Sequence, residues 1–194
     1  MIERVSKSVA DWLLKENVVE YNNRQLLSYA IYSLIFGLLP VFIVMVLGIV
    51  FGMIYEGMLM LVPYMLIRKF SGGYHLNSPG VCIICSSFLL AFALALVKLI
   101  SCASNTFMFT LATSISLIIL CILSPIDSEA RRLTERERFI FKNVSRIIAL
   151  CTFLIYIGLL YFQSIRNAIP IGMGINIAAS LQLPCLIGIA FRRK

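Results

Sequence analysis

Long apolar runs separated by short polar interruptions dominate the chain. The first run, 26–67, is about twice the ~20 residues that one membrane-spanning helix needs, so it predicts two helices. The turn between them is expected near 52–57, where Glu56 is the only charged residue. Later polar interruptions divide the remaining apolar sequence into four more spans. The six predicted spans lie at about 27–51, 54–67, 80–100, 106–124, 147–162 and 168–190.

Two of the polar segments carry helix signals of their own. Apolar residues recur at helical spacing within residues 1–25, with charged residues between them, which predicts an amphipathic helix on a membrane surface. In the charged segment 125–146, Thr134 and Glu137 have the spacing of a capping box, so a helix is expected to begin there and run into the fifth span. The sixth span is expected to be interrupted, because it contains Pro170, Gly172, Gly174 and Pro184.

Composition strengthens the membrane interpretation. Of the 194 residues, 60% are hydrophobic and only 13% are charged, too few to cover the surface of a water-soluble domain. The predicted fold class is an all-α, polytopic helical membrane protein, with residues 1–25 as an interfacial helix and 26–194 as one transmembrane domain. Lys and Arg outnumber Asp and Glu by 17 to 9, but in such a chain basic residues mark cytoplasmic loops, and nucleic-acid binding is not expected.

Charge also predicts the orientation. With six spans, both termini, the 68–82 stretch and the 125–146 segment lie on one side of the membrane. All but two of the 17 Lys and Arg residues, the exceptions being Lys98 and Arg166, fall on that side. By the positive-inside rule that side is the cytoplasm. We therefore expect a multi-pass membrane protein with its amino and carboxyl ends in the cytoplasm.

Candidate chemistry is concentrated between the second and third spans. Residues 68–79 contain the only histidine, His75, and Cys82 follows seven residues later. Ser78 and Pro79 predict a helix start, which places Cys82 near the first turn, where free N–H groups and the helix dipole favour a thiolate. An imidazole that takes the thiol proton and returns it to a leaving amine makes a Cys-His pair.

Spacing alone leaves other interpretations open. His75 could be an interfacial histidine, with Cys82 one more small buried residue. Cys82 and Cys85 also form a C-x-x-C pattern. Since the intervening residues are apolar and no second ligand pair exists, we expect neither a redox site nor a metal site.

Arg68, Gly73, His75 and Cys82, in this order and spacing at the end of a span, resemble the accessory gene regulator protein B (AgrB) family. The family comprises membrane endopeptidases of peptide quorum sensing. The resemblance implies a cysteine protease without a cofactor, acting on an AgrD-like propeptide with an acidic C-terminal tail. Cys82 would attack the carbonyl before the tail, with His75 as the base. An internal thiol or hydroxyl of the peptide would then attack the thioester and close a thiolactone or lactone ring. Besides membrane lipids, a second copy of the chain is an expected partner.

Further residues are candidates for supporting roles. Arg68 ends the second span, where it can offset the helix dipole, bind the propeptide or brace the site. Asp127 could orient His75 if the third and fourth spans pack closely. Arg131 and Arg132 precede the predicted helix cap and are candidates for binding the acidic tail. Glu56 is expected at the outer side, and the sequence shows no partner for it.

Two other function classes fit parts of the pattern. An S-acyltransferase would also use a cytoplasmic interfacial cysteine that forms a thioester. A small transporter or scaffold would fit an interrupted sixth span. However, the sequence contains neither a paired broken helix nor a buried ion-binding carboxylate, which such transporters need.

Overall fold

The structure, a computed structural model, describes residues 2–15, 24–72, 79–102, 106–125 and 134–184. Over these ranges the chain forms α-helices joined by short connections and contains no β-strand, which confirms the predicted all-α fold class. The helices are α1 (Ile2–Lys15), α2 (Arg24–Phe51), α3 (Ile54–Ser71), α4 (Pro79–Ser101), α5 (Phe107–Leu123), α6 (Glu135–Tyr161) and α7 (Ile165–Ser180).

Three of the described helices are long and apolar enough to cross a membrane: Leu27–Phe51 within α2, Gly80–Ser101 within α4, and Glu135–Tyr161, which is α6. α5 is also apolar but shorter. These helices support a membrane protein. The count of six spans and the orientation with both ends inside stay predictions.

The chain divides into two compact units, residues 1–43 and 44–194. The first unit contains α1 and most of α2. α1 is strongly amphipathic, as its sequence predicts, and its position on a membrane surface stays a prediction. The second unit contains the end of α2 and all of α3 to α7, including the described part of the candidate site.

Short sequence motifs correctly predicted the end of α2 and the start of α6. The predicted turn between the first two spans occurs at Gly52 and Met53, where the Met53 N–H donates to the Gly48 carbonyl over 2.7 Å. The predicted capping box is present at Thr134. Its backbone N–H donates to Glu137 Oε2 over 3.0 Å, and its hydroxyl accepts from the Glu137 N–H over 3.3 Å. From this cap α6 continues without a break to Tyr161, as expected.

α7 is the core of the second unit. It contacts α3, α4, α5 and α6, and every residue from 168 to 175 is buried. Small residues allow the close packing: a Cβ atom added to Gly174 would lie 2.5 Å from the Met60 carbonyl oxygen, so only glycine lets α3 approach here. α7 runs unbroken through Pro170, Gly172 and Gly174, but it ends at Ser180, inside the predicted span and shortly before Pro184. The predicted interruption is therefore absent at Pro170, where tertiary contacts outweigh the missing N–H, and present near Pro184.

The helices of the second unit alternate in direction, so α3, α5 and α7 end where α4 and α6 begin. We call this the Cys82 end. Three contacts define it: the Phe70 and Phe141 rings lie 6.0 Å apart, Arg146 Nε donates to the Cys121 carbonyl over 2.9 Å, and Gln182 Nε2 donates to Ser124 Oγ over 2.8 Å. We call the opposite end, where α3 and α7 begin, the Glu56 end.

Candidate active site

The last turns of α3 form one side of the candidate site. Tyr64 and Arg68 are four residues apart, so their side chains lie on the same face of the helix. The helix ends at Gly72, whose N–H donates to the Arg68 carbonyl over 3.2 Å. Gly72 has φ +72°, a conformation that costs glycine little and other residues more. Gly72 therefore ends α3 directly before the segment that contains His75.

The first turn of α4 forms the other side. α4 begins at Pro79, as the sequence predicted, and Cys82 is its fourth residue. Cys82 is half-buried, and Cys85, one turn later, is exposed. The Ser86 hydroxyl donates to the Cys82 carbonyl over 2.5 Å, so the serine satisfies its hydrogen bond within the same helix. The Cys82 thiol therefore lies near the start of α4 and is only partly exposed.

Tyr64 lies one helical turn before Arg68, on the same face of α3. It is almost fully buried, with 7% of the residue exposed. The last turns of α3 therefore carry a phenol and a guanidinium on one face.

Several predicted site residues lie outside the described residues. These are Gly73, His75, Asp127, Arg131 and Arg132. The structure therefore brings Arg68 and Cys82 to the same end of the second unit and leaves the Cys-His pair, the orienting carboxylate and the tail-binding arginines as predictions. Within the described ranges, no group of three or more His, Cys, Asp or Glu side chains could hold a metal ion.

The start of the charged 125–146 segment is held by Gln182, which follows α7 in the chain. Ser124, the residue after α5, is buried and accepts a hydrogen bond from Gln182, which is fully buried. The Phe70–Phe141 contact holds the first turns of α6 against the end of α3. The residues on either side of the undescribed part of the segment are thus fixed at the Cys82 end.

The Glu56 end contains an ion pair that the sequence analysis missed. Arg166 Nε donates to Glu56 Oε1 over 2.6 Å, and the Tyr55 hydroxyl beside it donates to Asn167 Oδ1 over 3.2 Å. The sequence places both residues on the predicted outer side but does not predict that they pair. The signal available was that both charges are isolated and fall on the same predicted side.

Comparison with known proteins identifies the family. The family model for accessory gene regulator B matches residues 6–183 of this chain. Two proteins of Clostridium perfringens, both named only provisionally as AgrB-like, are similar along their length. The chain is 25% identical to AgrB-like protein 2 of strain 13 / Type A and 22% identical to the AgrB-like protein of strain SM101 / Type A. Each alignment covers 99% of this chain and 89% of the relative.

No solved structure matches the fold. The match of the family model nevertheless includes all the described helices of the second unit and both sides of the candidate site. The chain therefore belongs to the accessory gene regulator B (AgrB) family, whose members are membrane proteins of accessory gene regulator quorum sensing.

Proposed function

We propose that this chain is a membrane-embedded cysteine endopeptidase that removes the C-terminal tail of an AgrD-like quorum-sensing propeptide and promotes cyclisation of the remaining peptide. Cys82 is the nucleophile and His75 is its base. The observation that carries the proposal is the position of Cys82: it is half-buried at the start of α4, at the same end of the second unit as Arg68 of α3. Membership of the AgrB family supports the same substrate class.

The reaction proceeds by acyl transfer. The Cys82 thiolate attacks the carbonyl carbon before the tail, the C–N bond breaks, and His75 returns the proton to the departing amine. The peptide is left as a thioester on Cys82. A thiol or hydroxyl within the peptide then attacks this thioester, closes the ring and frees the cysteine. Exchange of one thioester for another is close to neutral in free energy, whereas forming a thiolactone directly from an amide is uphill.

The setting of Cys82 favours ring closure over hydrolysis. An acyl-enzyme that is open to water loses its peptide as a free acid. A half-buried cysteine at the end of a helical membrane bundle is partly protected from water, so the internal nucleophile of the peptide can compete. On the predicted orientation this end of the bundle faces the cytoplasm.

Substrate binding is proposed at the charged segment. Both its ends are attached to helices at the Cys82 end, through the Gln182–Ser124 hydrogen bond and the Phe70–Phe141 contact. Arg131 and Arg132, which lie between these attachments, would bind the acidic tail, and Asp127 would orient His75. Membrane lipids surround the bundle, and a homodimer is the proposed assembly.

The test is the intact mass of the protein purified after coexpression with an AgrD-like propeptide. Wild-type protein is expected to carry an adduct equal to the propeptide without its tail, and hydroxylamine should release it because thioesters react with that nucleophile. Cys82→Ala and His75→Ala should form no adduct and release no tail. The matched control is Cys85→Ala, one turn along the same helix, which should behave as wild type.

Each contrary outcome has a clear meaning. If Cys82→Ala still releases the tail, the endopeptidase proposal is wrong. If wild-type Cys82 carries a fatty-acyl mass in cells that lack the propeptide, an S-acyltransferase is the better assignment. If Cys85→Ala loses the adduct and Cys82→Ala keeps it, the nucleophile has been assigned to the wrong turn of α4.

A further inference from the structure

We infer that Gln182 is a positioning residue for substrate recognition, and that its carboxamide fixes the start of the charged 125–146 segment so that the segment can bind the acidic tail of the propeptide. The inference rests on the proposed function, which places tail binding in this segment. It adds a residue outside the segment, just after α7, that determines how firmly the segment holds the tail.

A buried hydrogen bond joins Gln182 to the residue directly before this segment. Gln182 Nε2 donates to Ser124 Oγ over 2.8 Å. Gln182 is 0% exposed and Ser124 is 3% exposed, so water does not compete for the bond. Burying a carboxamide costs free energy unless its polar atoms are bonded. An apolar side chain of the same size would avoid that cost, so what the glutamine contributes is the specific bond to Ser124.

Both partners of the bond are fixed by their own backbones. Gln182 follows α7, the core helix of the second unit, and its N–H donates to the Ala179 carbonyl over 3.0 Å. Ser124 is the C-cap of α5, and its N–H donates to the Leu120 carbonyl over 3.1 Å. The bond therefore attaches the carboxyl end of α5 to the core of the bundle.

Ser124 also determines how the chain leaves α5. Its backbone is extended, with φ −75° and ψ 144°, so the helix ends at this residue. Pro125 follows, and the proline ring restricts both its own φ and the conformation of the residue before it. Arg131 and Arg132, the residues proposed to bind the tail, lie only a few positions further along the chain. Loosening Ser124 would therefore loosen the chain that carries them.

The other end of the carboxamide supports the same role. Gln182 Oε1 is buried and has no hydrogen-bond partner among the described residues. A buried acceptor of this kind generally has a donor. The chain that continues from Ser124 offers backbone N–H groups from residue 126 onward, since Pro125 has none. Gln182 can thus hold the segment at two points, the Ser124 hydroxyl and a backbone N–H.

A second buried amide provides a matched control. Asn176 Nδ2 donates to Thr113 Oγ1 over 3.1 Å, and Asn176 Oδ1 likewise has no partner within the described ranges. This bond also joins the α7 part of the chain to α5, but it lies inside both helices and not where the charged segment begins. Loss of either bond weakens the contact with α5, and only loss of the Gln182 bond releases the segment.

The experiment compares Gln182→Met with Asn176→Leu, because each replacement removes the amide and keeps the approximate size of the side chain. The readout is the dissociation constant of a fluorescent AgrD-like propeptide, measured on protein that also carries Cys82→Ala so that the tail is not removed. A second propeptide, in which the acidic tail residues are replaced by their amides, measures how much of the binding depends on tail charge.

Only one combination should lose affinity. We expect Gln182→Met to raise the dissociation constant of the acidic propeptide about fivefold, the effect of losing one hydrogen bond, and to leave that of the neutral propeptide unchanged. Asn176→Leu should bind both propeptides as the Cys82→Ala reference does. A dissociation constant does not depend on the fraction of protein that is folded, so a purely structural role would reduce the number of binding sites and leave the constant unchanged.

Ser124→Ala tests the bond from its other partner. It removes the acceptor of Gln182 Nε2 and should raise the dissociation constant of the acidic propeptide by a similar factor. It also decides the question if Gln182→Met does not accumulate in the membrane. The double variant should bind no more weakly than either single variant, because both changes remove the same bond. Additive losses would overturn this hydrogen bond as the cause.

The remaining outcomes are distinguishable. Unchanged binding in Gln182→Met and Ser124→Ala would overturn the inference. So would an equal loss in Asn176→Leu, which would indicate helix packing, or an equal loss for the acidic and neutral propeptides, which would exclude the tail. If the Cys82→Ala reference binds both propeptides equally, the proposed binding of the tail is wrong. Tail release by Cys82→Ala would instead overturn the endopeptidase.

Discussion

Glu56 and Arg166 form an ion pair between residues 110 positions apart in sequence, with 2.6 Å between Oε1 and Nε. The pair joins the first turn of α3 to the first turn of α7. The two partners differ in environment: the Glu56 side chain is 10% exposed and the Arg166 side chain 74%. The carboxylate is therefore the member that depends on the pair, because it has lost most of its contact with solvent.

Replacing Arg166 should destabilise the second unit. Arg166→Gln leaves a nearly buried carboxylate without its cation, and we expect the free energy of unfolding in detergent to fall by about 1–3 kcal/mol, less than for a fully buried pair because Arg166 is largely exposed. Thermal unfolding is the measurement. Glu56→Gln combined with Arg166→Gln should recover part of the loss. The control is Lys98→Gln in the last turn of α4, which should change little; equal effects of the two single variants would argue against the pair.

Two glycine-to-alanine variants test the packing of α7. Gly174→Ala places a methyl group 2.5 Å from the Met60 carbonyl oxygen and 2.7 Å from the Pro63 ring, so α3 and α7 must separate. We expect a loss of about 1–3 kcal/mol in unfolding free energy. Gly158→Ala in α6 has no atom within 4 Å of the added methyl and should be neutral or slightly stabilising. Similar melting temperatures for both would contradict the described contact.

The capping box of α6 predicts a local effect. Thr134→Ala removes the hydroxyl that accepts the Glu137 N–H, and the helix start should lose about 1 kcal/mol. Amide hydrogen exchange should accelerate in the first turn of α6 and remain unchanged in its apolar half. Thr134→Ser keeps the hydroxyl and should exchange like wild type. Faster exchange throughout α6 would instead indicate that the cap supports the whole helix.

Buried polar side chains should contribute to stability according to the hydrogen bonds that they make. Ser145 is buried, and its hydroxyl has no partner among the described residues, so Ser145→Ala should be neutral or stabilising. Thr113 is equally buried, but it donates to the Phe109 carbonyl and accepts from Asn176 Nδ2 over 3.1 Å. Thr113→Val keeps the shape and should cost about 0.6–1.7 kcal/mol, the range for hydrogen bonds between membrane helices. Comparison of melting temperatures decides this, and a destabilising Ser145→Ala would reveal an unseen partner.

Local chemistry explains which parts of the fold the sequence predicted. The start of α6 depends on two residues three positions apart, and the turn after α2 depends on one glycine and its neighbours, so both can be found in a short window. The start of α4 at Pro79 follows for the same reason. The continuity of α7 depends on contacts with α3, α5 and α6, which no local pattern contains, and the predicted interruption at Pro170 is absent there.

The candidate site also contains residues that the sequence could identify and contacts that it could not. Cys82 and Arg68 could be selected because each lies at a helix end with an identifiable chemical role. The Glu56–Arg166 pair depends on two helices that are far apart in sequence. The pairing of His75 with Cys82 stays a prediction.

The central position of α7 has a consequence for synthesis. A ribosome makes this helix after all its neighbours, so α3, α4, α5 and α6 first meet one another without it. α6 can already pack on α3 and α5 at that stage, because these helices are in contact in the folded unit. A nascent chain that stops before Ile165 would therefore hold a partly formed bundle with an open centre, which residues 165–180 fill when they arrive.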